Sequence, residues 1–235
     1  MNLKILKYIP LIILLLSVHT IVHATEQIPD KILIENESFN LLGNPLETYF
    51  SLYPEKRPKR GIISTALWRG YIATFEILNS KLMIENIEVE FQDEKRKIIL
   101  DGKSVYPFTK RVSALKEIFK DKDSLIADWY SHLLVIPKGN KLDDEWDRGY
   151  NTYAYEYYNV LQINSGTVVQ ERLFSYKSYI EFKNRQFEEF KKTYEYEKVF
   201  NEFLKDWKDP KTVNEFILEH IIDFTSSFLV NLDNS

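Results

Sequence analysis

A leader-like start followed by a body without cysteine is the tightest constraint this chain places on its own folding. Lys4 and Lys7 precede an apolar run from Ile9 to Val18, and Val22-His23-Ala24 ends it on a small residue. A positive start, an apolar middle and a small-residue end are the three parts of an export signal. The pattern predicts residues 1–24 as a signal peptide cleaved after Ala24, with delivery to an oxidising compartment. Exported proteins often draw stability from disulfides there, and a chain with no cysteine forms none. Residues 25–235 are therefore expected to fold by apolar burial alone, as a single α+β domain long enough to build a substantial core.

The same features exclude several functions. The apolar stretch up to Val22 contains His19 and is shorter than the roughly 18–20 apolar residues of a spanning helix. No second stretch of that length follows, so stable membrane insertion after cleavage is not expected. Thiol nucleophiles, thiolate metal sites and redox pairs are ruled out. Losing Lys4 and Lys7 takes the formal net charge from −4 to −6. That balance argues against nucleic acid, whose phosphates are held by many lysines and arginines. A soluble protein of the bacterial periplasm or exterior is the expectation.

Periodicity separates the chain into a β part and a helical part. Lys31-Ile32-Leu33-Ile34 reads as a short strand. Residues 63–77 read as another, rich in β-branched and aromatic types. After the turn Asn79-Ser80, Ile87, Val89 and Phe91 alternate with Glu88 and Glu90, as a half-buried strand does. Lys97–Leu100 ends at Asp101-Gly102, a hairpin turn, and residues 113–120 suit a short helix. Leu125–Ile136 reads as a strand, followed by an acidic loop at 143–147. Residues 152–163 and 167–174 form an expected hairpin around Asn164-Ser165-Gly166. From 176 onward the spacing becomes helical. Asp209-Pro210 marks a helix start, and Val213, Phe216, Ile217, Ile221, Phe224 and Phe228 form an apolar stripe. Strands first and helices last predict an α+β fold: an antiparallel sheet of roughly five to seven strands covered by C-terminal α-helices.

Candidate binding residues cluster in two places. Read as strand, residues 65–77 put Arg69 and Tyr71 on one face, Trp68 and Glu76 on the other. A guanidinium among large apolar neighbours needs a carboxylate or an aromatic face. The segment is either a ligand groove, with Arg69 on an anion and Trp68 or Tyr71 as a stacking surface, or a central strand with an internal ion pair. Tyr153, Tyr155 and Tyr157 would line one strand face, as a sugar- or protein-binding surface or as packing beneath the helices. His220 lies in the apolar stripe three residues before Asp223 and reads as a core histidine. With His132 the only other histidine after the leader, no metal site is expected. The crowded acids Asp143, Asp144, Glu145 and Asp147 read as a solvated turn, and Lys56–Arg60 as a basic loop. No catalytic residue and no cofactor are assigned.

The segment 65–77, with Asn44-Pro45-Leu46-Glu47 and Tyr53-Pro54-Glu55-Lys56-Arg57-Pro58, resembles a group of bacterial proteins without an assigned activity. The resemblance implies a bacterial origin and transfers no site. The functional expectation is an exported, non-enzymatic binding protein, of inhibitor or immunity type, acting on a protein partner in the envelope. The alternatives are a carboxylate-dependent hydrolase of envelope sugars or peptides, and a sugar- or anion-binding protein.

Overall fold

The computed structural model describes residues 26–58, 61–120 and 125–230. Residues 1–24, on which the export reading rests, lie outside them, as do Lys59 and Arg60 of the basic loop. The fold is α+β. Its main sheet runs β2 (Glu37–Leu41), β1 (Asp30–Ile34), β3 (Tyr71–Leu78), β4 (Lys81–Gln92), β10 (Thr167–Ser175), β9 (Thr152–Asn164) and β8 (Leu133–Asp147). An eighth strand, β7 (Thr109–Ser113), pairs with the distal half of β4. β5 (Ile98–Leu100) and β6 (Lys103–Val105) form a separate hairpin.

The sheet is mixed rather than purely antiparallel, because β1 runs parallel to β3. A parallel pair needs a crossover of a dozen or more residues. The segment between them supplies it, holding β2 and helix α1 (Pro45–Leu52). The two outermost strands then approach each other: Leu42 N–H donates to Val135 O at 2.9 Å, just beyond β2. That bridge curls the sheet toward a ring. One core cluster draws Ile32, Leu41, Phe75, Ile84, Leu134 and Leu161 from six of its strands, with Leu46 and Phe50 of α1.

A second cluster lies on the other side of β8 and β9, under the C-terminal helices. Successive residues serve the two cores: Leu133 and Val135 face the helices, Leu134 and Ile136 the first cluster. A strand buried on both faces needs a continuous apolar run, which explains Leu133-Leu134-Val135-Ile136. The covering layer is α3 (Tyr176–Phe190), α4 (Tyr194–Trp207), α5 (Pro210–Glu219) and α6 (Ile221–Phe224), with the single-turn α2 (Leu115–Ile118) elsewhere. The Asp209 side chain accepts from Lys211 N–H and Thr212 N–H at the start of α5, as its sequence signal predicts. Among the described residues no helix is long and apolar enough to cross a membrane.

Several boundaries differ from expectation. The strand expected at 63–77 begins only at Tyr71, since residues 64–70 fold into turns closed by Leu67 N–H to Ser64 O and Gly70 N–H to Leu67 O. The strand expected from Leu125 begins at Leu133. The acidic stretch 143–147 is not a loop but the bulged end of β8, held against β9. The apolar stripe after Asp209 is interrupted at His220, where α5 ends. The first of these misreadings has a plain cause: residue types that favour strands also occur in turns where tertiary contacts, not local preference, set the backbone.

Candidate functional site

A cleft of about 390 Å³ opens between the start of β1, the end of β2, the turn before β3 and the β8–β9 connection. Trp68 and Arg69 both line it. As strand neighbours they would point to opposite faces; the turn at 64–70 brings them to one place. Trp68 stands 56% exposed, while Arg69 is buried to 8%.

The floor is a charge network. Arg69 Nη2 lies 3.3 Å from Asp30 Oδ1 and donates to Ile28 O at 2.9 Å. Asp30 Oδ1 also accepts Ala73 N–H at 2.9 Å. Asp30 has no exposed surface. Burial pushes its carboxyl up to about 6, against the pull of Arg69 and the Ala73 N–H, and nearby Glu47 adds to the rise. Its second oxygen and Arg69 Nε have no hydrogen-bond partner, a cost the fold carries at this point. Glu47, on α1, takes both ends of the Arg57 guanidinium and the Tyr71 hydroxyl, the last at 2.7 Å. Burial opposes ionisation of Glu47, yet the Arg57 and Tyr71 bonds outweigh it and hold the carboxyl below its usual range. Tyr71 is wholly buried behind this floor, where burial and the flanking carboxylates raise its hydroxyl far above the usual value.

The near wall is more open. Lys141 Nζ donates to Glu26 at 2.8 Å, and the Thr152 hydroxyl donates to the same carboxylate at 2.5 Å. Burial works against the Glu26 charge, but these two donors prevail and keep its carboxyl low. The Lys141 ammonium also lies 5.4 Å from the Tyr153 ring and 5.9 Å from the Tyr155 ring. Asn40 Nδ2 donates to the Tyr155 hydroxyl at 3.4 Å. On the far side, Gly149 passes so close to the end of α5 that a Cβ would meet Glu219 O at 2.3 Å. There His220 Nδ1 lies 3.4 Å from Asp223 Oδ2.

Of the residues expected to bind, the cleft gathers Trp68, Arg69 and Tyr155. Tyr71 supports it from behind. Glu76 is half-buried on β3 opposite Met83, away from the cleft. Tyr153 is 36% exposed with its ring edge-on to Trp146, and Tyr157 is 48% exposed; Tyr155 is buried to 7%. The tyrosine row is thus divided between cleft and surface. His220 lines the cleft instead of the core. Sequence reasoning missed Glu26, Asp30 and Asn40. An aspartate heading an apolar strand was the available signal for Asp30, but nothing local couples it to an arginine 39 positions away.

Chemically, the cleft presents many hydrogen-bonding groups whose charges are already matched. Arg69 faces Asp30, Glu47 faces Arg57, and Glu26 faces Lys141. Acid–base catalysis by carboxylates needs one proton donor and one acceptor reaching the ligand. Asp30, whose carboxyl is pushed up, is sealed from the cleft, while Glu26 and Glu47 are both held ionised. The His220 imidazole has no serine or threonine hydroxyl hydrogen-bonded to it among the described residues, so a triad is not assembled. Among the described residues no three acidic or histidine side chains converge for a metal ion. No protein-family model, no curated protein and no solved structure matches this chain.

Proposed function

We propose that this protein is an exported, non-catalytic binding protein that holds a neutral saccharide in the Trp68–Arg69 cleft. The observation that carries the reading is an exposed indole standing beside a polar floor whose charges are internally compensated. A sugar ring offers an apolar face for the indole and hydroxyl groups for Asn40, Thr152 and the Glu26 carboxylate. An anionic ligand fits less well, because Arg69 already has Asp30 and two further carboxylates flank the opening. The cleft volume, about 390 Å³, is in the range of small-ligand sites. The leader pattern of residues 1–24 supports a location where envelope saccharides are met.

Tryptophan fluorescence titration with a panel of neutral and acidic envelope oligosaccharides tests the proposal. A saturable response lost in Trp68→Ala is expected. A flat response across the panel at millimolar sugar removes it. A second reading, a protein partner in the envelope, draws on the exposed Tyr157 and the partly exposed Tyr153. It predicts a partner whose capture is weakened by Tyr157→Ala and left intact by Trp68→Ala.

A further inference from the structure

We infer that the β5–β6 hairpin and its flanks, residues 94–112, dock on an anionic lipid surface. The two strands pair only with each other, Ile98 opposite Val105 and Leu100 opposite Lys103, and neither joins the main sheet. Asp101 and Gly102 turn the tip with φ of 49° and 75°, the left-handed pair a tight hairpin requires. Every residue from 94 to 105 is exposed. Ile98, Ile99 and Leu100 are consecutive, at 41%, 61% and 55% exposure.

Strand alternation sets Ile98 and Leu100 on one side of the ribbon and Ile99 on the other. Exposed aliphatic clusters of this kind mark contact surfaces. A flat protein face would cover one side of a two-stranded ribbon and leave the other wet. Immersion at the boundary between headgroups and acyl chains covers both. Phe108 and Val112, at 40% and 45% exposure, extend the apolar surface, and the Arg96 guanidinium lies 3.9 Å from the Phe108 ring centroid.

Charge selects the lipid. Lys95, Arg96, Lys97, Lys103, Lys110 and Arg111 stand against only Glu94 and Asp101 in this segment, within a chain whose formal net charge is −4. A basic protrusion with exposed aliphatic strand residues on an acidic body is attracted to an anionic leaflet while the remainder is repelled, which orients the molecule. This surface is separate from the cleft and stands whether or not a sugar binds there.

The absence of cysteine makes the test direct, because Ile99→Cys in the full chain provides a unique attachment point for a polarity-sensitive dye. The dye is expected to shift to the blue with vesicles containing phosphatidylglycerol, and not with phosphatidylcholine vesicles. Molar salt should reverse the shift. Replacing both Lys97 and Lys103 by Glu should weaken co-sedimentation with the anionic vesicles by roughly thirtyfold or more. Ile99→Asp with Leu100→Asp should weaken it at least tenfold. Both double variants change exposed side chains and should melt with the unaltered chain. Equal sedimentation of wild type and both variants, or no dye response to any vesicle, overturns the proposal. So does a dye response to an acidic envelope protein in the absence of lipid binding.

Discussion

The floor and the near wall of the cleft are built from the same chemical unit, a carboxylate facing a cation, and they do different work. At the floor, Asp30 and Arg69 are 0% and 4% exposed at the side chain; on the wall, Glu26 and Lys141 are 38% and 40% exposed. A buried pair is costly to desolvate and more costly to break, because the survivor is stranded without water. An exposed pair is screened and exchanges readily with solvent. The floor therefore fixes the place where β1, β3 and the 64–70 turn meet, whereas the wall can yield to a ligand. Their carboxyls titrate in opposite senses: burial lifts Asp30, and donors depress Glu26.

The largest effect should come from the floor. Asp30→Ala strands Arg69 and is expected to cost about 3–5 kcal/mol of stability in urea unfolding. A loss below about 1 kcal/mol would show that water reaches the pair and would erase the contrast. Acid titration of stability is next. Asp30 binds its proton more tightly folded than unfolded, so its contribution favours the fold at low pH. That contribution declines as pH rises from near 3.8 to about 6, and is level above. Glu26 and Glu47 act oppositely, their contributions being lost as pH falls through their depressed folded values. Urea midpoints measured from pH 4 to 7 should lose the Asp30 component in Asp30→Asn, so that stability rises more steeply with pH than in the unaltered chain. An unchanged profile would reassign the burial penalty.

Trp68→Ala separates binding from folding. It should lower saccharide affinity about tenfold, near 1.4 kcal/mol, while moving stability by no more than about 0.5 kcal/mol, as exposed positions do. A large melting shift would make the indole part of the core. Smallest is the wall pair: a double-mutant cycle of Glu26→Gln and Lys141→Met should give a coupling of about 0.2–1 kcal/mol that fades with salt. A coupling matching the floor's would show the two regions to be equivalent.

Much of the secondary structure was legible because its causes are local. Asn79-Ser80 and Ser165-Gly166 take positive φ where the hairpins turn, and Asp209 caps α5 with its own side chain. The helical segment from 176 was legible as helix, though its division at 191–193 was not. The site was legible only in fragments. Trp68 and Arg69 stood out by residue type, but treating them as strand neighbours set them on opposite faces. His220 followed the apolar spacing of its helix, and that spacing carried no information about where α5 stops.

Sequence by itself determined the α+β class, the alternation of β4, the hairpin tips at 79–80, 101–102 and 165–166, the start of α5 and the exclusion of thiol chemistry, since each depends on residue type or on neighbours a few positions apart. Only the tertiary structure decided the parallel pairing of β1 with β3, the meeting of Leu42 with Val135, and the convergence of Glu26, Asn40, Arg69 and His220 on one cleft. The physical reason is that such contacts are selected by the burial they complete across the whole chain. No local preference distinguishes the partner eventually chosen from the many it could have met.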